Sequence, residues 1–489
     1  MRGAIRLCAA ALVLTCGAPA LASGLIVFGA KAEGEGLDGF EKVIDYNSGH
    51  ERLSAMQGVG ATEEGFDGGA WVYSNGVLNS IDLPSEARDR AAERWLGQNI
   101  GRLTVPAGKT RLAIARPQQS PITIDFAPGS RRPSRATIDS SHGPVVVTYS
   151  DWRRVGSAYY PFTTERLSDT GERTAFYARS IRPLARVDRV LLRRPAVAPT
   201  PPLAGGVVAV PFRTHERSTH IFVDATVDGH SGEFVFDTGG ANILTSDAVE
   251  AFGLPTSGGI NISGVGEGSA KGGFAFIKHV DLGGVPLTDQ SFVVIPPIFP
   301  KVNGKPSPTV GLLGYEHFGH YITTIDYSSH RMEFRDRVPT GQKGVRLPFA
   351  SDGHIPFVQA TVNGRLGWFG LDTGDSSGVT IFPAFAALAG IKPTDAPASS
   401  GGGVGGGVKQ ARGHLDHFSF GGVGFDNLPV RFALNDKGAF ASRFIAGNLG
   451  GQILSCFRIT IDNGRHQLWL EPTPNVPTCQ LNAIAKPAK

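Results

Sequence analysis

The feature that most constrains this chain is a repeat. FVDATVDG (222–229) and FVQATVNG (357–364) match as FVxATVxG at an offset of 135, and Asp237 and Asp372 keep the same offset. Further on, LGGVPL (282–287) answers FGGVGF (420–425), and GLLGYEHF (311–318) answers GNLGGQIL (447–454). TIDYSSHRMEF (324–334) then answers TIDNGRHQLWL (460–470). The order is the same in both copies, and the small changes of offset fall in loops. Such a chain holds one duplicated lobe, spanning 207–338 and 345–475. Each copy reads as short apolar or alternating strands punctuated by glycine, with a short helix after the LLG or NLG segment.

The 489 residues exceed what one core can hold, so something must precede the lobes. Residues 191–206, LLRRPAVAPTPPLAGG, have the composition of a linker. The preceding region, 23–190, reads as an α+β accessory domain. WVYSNGVLNSIDL (71–83) and VVVTYSDWRRVGSAYYPFTTERL (145–167) are predicted strands and hairpins. SEARDRAAERWLGQ (85–98) is a predicted amphipathic helix with Ser85 as candidate N-cap.

The first residues carry Arg2 and Arg6, an apolar run from Leu7 to Leu14, and Ala20-Leu21-Ala22 as a cleavage signal. That pattern predicts a secretory signal peptide over 1–22 and an exported, periplasmic or secreted protein. Cys16 raises lipid anchoring as the less favoured alternative, since Thr15 fits a lipobox poorly. No later run is long and apolar enough to span a bilayer, so no stable membrane insertion is expected after cleavage. Cleavage removes Cys8 and Cys16 and leaves Cys456 and Cys479, which are either a disulfide or two thiols. No Cys/His zinc spacing occurs, and His414 and His417 read as a surface pair on a strand. No basic cluster interleaved with aromatics is present, which argues against nucleic acid as a partner.

Asp-Thr-Gly occurs three times. In RLSDTGE (166–172) the flanks are polar and strands lie on both sides, so Asp169-Thr170-Gly171 reads as a hairpin turn. In FVFDTGG (234–240) and GLDTGD (370–375) the aspartate instead ends an apolar strand, and a second apolar strand follows, ILT (243–245) or VTI (379–381). Short helices are predicted next, in SDAVEAFGL (246–254) and PAFAALAG (383–390).

These lobes resemble retropepsin-like and pepsin-like aspartic peptidases over about 265 residues. The shared pattern is an apolar strand into Asp-Thr-Gly, a flap hairpin, then two apolar residues and glycine before a short helix. The last element is Leu312-Leu313-Gly314 in lobe one and Asn448-Leu449-Gly450 in lobe two, where Asn448 departs from the apolar preference. The closest likeness is to bacterial envelope proteins with two retropepsin-like units in one chain. The YSDWRRVGSAYYPFTTERL segment (149–167) loosely resembles curved-sheet bacterial envelope domains.

The resemblance implies a mainly β fold: two acid-protease β-barrel lobes forming one bilobed unit behind the α+β domain. It implies Asp237 and Asp372 as a catalytic dyad sharing one proton, activating a water with neither metal nor organic cofactor. Thr238 and Thr373 would brace the two loops, and Gly239 and Gly374 would support the dyad and bind substrate backbone. Gly240, Asn242 and Asp375 are further expected substrate contacts, as are Gly264, Val265 and Gly266 at the tip of the flap ISGVGEGSAKGGFAF (262–276). The second flap would be GGGVGGGVKQARGH (401–414), for which a flexible linker is the plainer reading. Gly240 and Asp375 stand where the best-known families carry alanine or serine. Asp375 would then either raise the cost of ionising the dyad or point toward the substrate amide.

The expectation is therefore an exported aspartic endopeptidase acting on a peptide or protein, a monomer whose dyad forms within one chain. The rival readings are a weak or inactive peptide-binding envelope protein whose N-terminal domain binds an apolar ligand, and lobes that pair between chains.

Overall fold

The computed structural model describes residues 22–473 apart from 34–36, 58–59, 106, 198, 216–217 and 300–306. Residues 1–21 of the expected leader and Cys479 lie outside the described residues.

Among the described residues, the chain before 190 forms one antiparallel sheet of twelve strands. Val77–Ile81 lies at one edge and Arg111–Ile114 at the other. Neighbours in the sheet are neighbours in sequence, except where Gly24–Glu33 pairs with Arg173–Leu184 and joins the two halves. Period-two burial shows which face is covered. In Ile122–Phe126 the isoleucines and the phenylalanine point inward and the residues between them outward. Ala92, Leu96 and Ile100, on or just past the helix Pro84–Asn99, pack on one half of that inner face, against Ile124, Ala136 and Val147.

The helix starts one residue before the sequence suggests. Leu83 is the N-cap and Pro84 takes the first turn, so Ser85 is buried inside the helix and caps nothing. Proline fits there because its missing N–H would have no helical partner and its φ is preset. The entry is fixed instead by the lobes: the Asp82 and Leu83 amides both donate to the Ser351 carbonyl.

Each lobe is built round a closed six-stranded barrel. In lobe one the order is Ser218–Val227, His230–Phe236, Thr309–Leu313, Ile243–Thr245, Pro286–Ile295 and Ser269–Asp281, the last pairing back onto the first. Lobe two repeats this with Pro356–Val362, Arg365–Leu371, Gly447–Leu449, Val379–Ile381, Val423–Ala433 and Gly406–Phe420. The first hairpin in each turns on Asp228-Gly229 or Asn363-Gly364, both residues at positive φ, the geometry that suits the twist of a two-residue hairpin. The helices Tyr315–His320 and Gly451–Leu454 follow the LLG and NLG segments.

A separate sheet of six strands joins the lobes. At its centre Ile322–Asp326 runs antiparallel to Phe457–Asp462, with Thr324 opposite Thr460 and their hydroxyls 2.9 Å apart. One continuous apolar core runs through both lobes, including Phe236, Phe334, Phe369 and Phe457, all fully buried. At about 2–3 kcal/mol for each such ring removed from water, the lobes form one body.

The N-terminal sheet is docked on that body. Asn75, at a hairpin tip with φ of 52°, accepts from the Ser291 amide (2.8 Å) and donates to the Ser291 carbonyl (3.1 Å) and to Glu316 (2.9 Å). Asn79 donates to the Gly353 carbonyl at 2.7 Å, and Arg443 of lobe two pairs with Asp139.

Candidate active site

The two long-offset aspartates meet at the junction of the lobes. Each strand before them, His230–Phe236 and Arg365–Leu371, is fully buried over its last residues and delivers its aspartate at the barrel end. The Asp237 amide donates to the Leu313 carbonyl at 2.9 Å, and the Asp372 amide to that of Leu449 at 3.0 Å, so both loops are anchored alike. Each carboxyl group faces the opposite loop, that of Asp237 against Gly374 and that of Asp372 against Gly239.

Thr238 and Thr373, both fully buried, lock the loops reciprocally. The Thr238 hydroxyl accepts from the Thr373 amide (3.0 Å) and donates to the Leu371 carbonyl (2.8 Å). The Thr373 hydroxyl accepts from the Thr238 amide (3.0 Å) and donates to the Phe236 carbonyl (2.7 Å). Glycine follows each threonine because the opposite aspartate leaves no room. A Cβ on Gly239 would lie 2.6 Å from the Asp372 carboxyl carbon, and one on Gly374 would lie 2.4 Å from that of Asp237.

Burial beneath the flaps is the main reason both carboxyls keep their protons above the usual range. For Asp372 the neighbouring carboxylates Asp237 and Asp375 add to the effect, and the Asn448 amide opposes it. For Asp237 the Gly239 amide, donating at 2.8 Å, opposes it.

The flaps are the hairpins Thr256–Ser263 with Ser269–Asp281, and Ala398–Gly403 with Gly406–Phe420. GGGVGGG is thus part of an ordered hairpin. The flaps close on each other: the Gly266 and Gly268 amides donate to the Val404 and Gly405 carbonyls, each at 3.0 Å. Their tip valines are exchanged. Val265 packs on the apolar cluster of lobe two round Phe357 and Phe382, and Val404 on that of lobe one round Phe222 and Leu312. Gly264 accepts from the Ala439 amide of lobe two at 3.0 Å.

Three expected substrate contacts are engaged within the loops. Asn242 is fully buried: its Oδ1 accepts from the Gly314 amide at 3.0 Å, and its own amide donates to Glu316. It supports the loop from below, and burial keeps it from the cleft. Gly240 accepts from the Tyr315 amide at 3.0 Å, and a Cβ on it would lie 2.7 Å from Oδ2 of Asp237. Asp375 turns into its own loop, accepting from the Ser377 amide at 2.8 Å and lying 3.4 Å from the Asn448 Nδ2. That turn brings it close enough to act on Asp372.

Some neighbours escaped the sequence reading. His220 Nε2 lies 2.9 Å from the Gly374 carbonyl, close enough to act electrostatically on Asp237. The repeat offset places Ile355 at its counterpart, so comparing the copies flags an asymmetry but no role. Glu316 is buried, which pushes its carboxyl up to about 7, and it carries the Asn242 amide.

Asp169-Thr170-Gly171 forms the turn between Ala158–Leu167 and Arg173–Leu184, with Gly171 at a φ of 83°. Its neighbours grip the first flap: Ser263 Oγ donates to Glu172 at 2.6 Å and lies 3.1 Å from Thr170 Oγ1.

The family model described as aspartyl protease matches this chain twice, at residues 223–317 and 358–451. Both lobes are aspartyl protease domains. No curated protein matches the chain. Each matched span in these aspartyl protease lobes contains one long-offset aspartate, one flap and the Gly314 or Gly450 loop. Elsewhere, Glu86, Asp89 and His142 bring ligand-type atoms within 4.8 Å of one another. Asp89 there already accepts from the hydroxyls of Ser120 and Ser141. His417 binds Asp426 at 2.8 Å. Cys456 is disulfide-bonded and fully buried.

Proposed function

We propose that the chain is an exported aspartic endopeptidase whose Asp237 and Asp372 share one proton and activate a water between them. The observation that carries this reading is the meeting of two half-buried carboxyls across a pseudo-twofold, each against the other's loop and braced by Thr238 and Thr373. Two such groups cannot both ionise cheaply, so one is base and the other acid. The ionised carboxylate takes a proton from water as its oxygen attacks the scissile carbonyl. The protonated partner donates to the carbonyl oxygen.

The substrate is an extended peptide lying between the dyad and the flaps, held by strand-like main-chain hydrogen bonds. Gly264, Val265 and Gly266 contact it once the flap-tip bonds open. Both half-sites come from one chain, so a monomer suffices. Export follows from the leader, and cleavage after Ala22 leaves Ser23 as the first residue.

The test uses the mature chain with a peptide library from acid to neutral pH. Asp237→Asn and Asp372→Asn should each lower cleavage by at least about a thousandfold. Either variant cleaving like the parent ends the dyad reading. Activity regained on mixing the two variants would mean that lobes pair between chains. Sequencing the secreted protein's N-terminus checks export.

A further inference from the structure

The N-terminal domain has a cavity that peptide hydrolysis does not use. Its volume is about 710 Å³, and it lies between the inner face of the twelve-stranded sheet and the helix Pro84–Asn99. That is within the roughly 300–1,000 Å³ typical of small-molecule sites. The sheet side is mostly apolar, with Leu25, Phe40, Ala55, Phe162, Phe176 and Ala178, and carries Lys42, Glu64 and Arg166 among them. The helix packs its apolar face on the other half of the sheet and turns Glu86, Arg90 and Glu93 to the cavity. The cavity ends against the lobes, at Ser263 and Gly264 of the first flap and at Gly438 and Ala439.

We propose that this cavity binds a single-chain amphiphile with a positively charged head, its apolar chain along the sheet and its head at the end that meets the flap.

Two observations choose this occupant. The wall strands spend their amides and carbonyls on one another, Leu25 with Ile44 and Pro183, Phe40 with Ala55. A peptide main chain laid on that face would find no ladder and would leave polar groups unmet, whereas an apolar chain asks for none. The second observation is charge. Inside, Arg90 is paired with Glu64 at 2.9 Å, Arg166 with Glu93 at 3.5 Å and Lys42 with Glu51 at 3.3 Å. Toward the lobes, Glu86, Asp89, Asp169 and Glu172 line the cavity, and Arg443, which acts on His142 there, is paired with Asp139. Burial, with Asp352 and Asp89 adding to it and Arg90 opposing it, pushes the Glu86 carboxyl up to about 7. A cationic head there offsets the acidic charge.

The position links the cavity to the flap. Ser263 and Gly264 line the cavity and open the tip segment that bonds the second flap. The hairpin holding Ser263 by Thr170 and Glu172 lines it too. A bound head therefore restrains the first flap.

The probe is N-phenyl-1-naphthylamine, an apolar fluorophore, on the full mature chain, displaced by dodecylamine or by dodecanoate of equal chain length. The expected result is saturable fluorescence, with dodecylamine displacing at least about tenfold more effectively than dodecanoate. Ala55→Trp and Ala178→Trp, which fill the cavity, should each weaken binding at least about tenfold while circular dichroism and thermal midpoint are kept. Glu86→Gln should narrow the preference for the amine. Hydrogen exchange over 256–281 should slow with dodecylamine. No fluorescence with the parent, or undiminished binding in both tryptophan variants, overturns the site. Equal displacement by dodecanoate overturns the cationic head, and unchanged exchange overturns the link to the flap. None of these readouts needs cleavage, and Asp237→Asn should bind like the parent, so this proposal fails separately from the peptidase reading.

Discussion

The Asn448 side-chain amide donates to Oδ2 of Asp372 at 2.8 Å, at the position where lobe one carries Leu312. Room for it comes from Gly370, whose counterpart in lobe one is Val235. A Cβ on Gly370 would lie 2.8 Å from Asn448 Oδ1. The same amide lies 3.4 Å from Oδ2 of Asp375 and bridges the two carboxylates of lobe two. The duplicated lobes therefore give their aspartates different surroundings. Asp372 has a side-chain donor and a second carboxylate beside it; Asp237 has backbone amides and His220.

Asn448→Leu and Asp375→Ser should move the pH profile of peptide cleavage in opposite directions. An amide donating to Asp372 favours its charged form, so losing it makes the pair hold its proton to higher pH. Removing the Asp375 charge lets the pair ionise at lower pH. The other charged and titratable groups facing Asp372 are Asp237 and Tyr327, and both stay in place. With a charge-assisted bond lost, Asn448→Leu should also lower kcat/KM at least about tenfold. Shifts of the same sign in the two variants would show that Asn448 does not set the proton affinity of the dyad.

Thr238→Ala should cost roughly 2–4 kcal/mol in chemical denaturation, because it leaves the Thr373 amide and the Leu371 carbonyl buried without partners. Thr238→Ser keeps both bonds and should stay within about 1 kcal/mol of the parent. Equal losses in both variants would assign the effect to the lost methyl packing.

The lobes were legible because duplication prints the same pattern twice. One Asp-Thr-Gly proves nothing, as the turn at Asp169 shows, but Asp237 and Asp372 keep both the offset and the strands either side. Asn448 stood out as a broken rule, yet its partner Asp372 is 76 residues away and no spacing reveals the bond. Asn242 looked like a cleft residue by its nearness to Asp237, and only packing shows its side chain turned under the loop. Ser85 looked like a cap because local pattern could not show that Ser351, far along the chain, fixes the helix start. The grip of Thr170 and Glu172 on Ser263 joins domains whose sequences have nothing in common.

Val404→Ala should loosen the closed flaps. It removes an apolar anchor from the cluster round Phe222 and Leu312 but leaves the main-chain bonds from Gly266 and Gly268. A partly buried valine truncated to alanine costs about 1 kcal/mol, enough to raise the open population about fivefold. Amide exchange at 264–268 should quicken by that factor, with global stability little changed. Unchanged exchange would mean that the main-chain bonds alone hold the flaps.

His317 sets how acid a solution the fold can bear. Its ring is fully buried against Phe236 and Phe334, and burial pushes its pKa down to about 3. The unfolded chain takes up this proton near the ordinary value of 6.5, which the native state refuses until about 3. Stability is therefore lost as pH falls through that window, by an amount on the order of 5 kcal/mol at its acid end. The dyad works the other way. Its carboxyls are held protonated when folded, so their contribution is present in acid and is lost as pH rises through their raised values. Urea denaturation at several pH values should show His317→Phe losing less stability than the parent between neutral pH and pH 4. Asp372→Asn should gain most at neutral pH. Stability profiles that run parallel to the parent's in both variants would assign the acid limb to other groups.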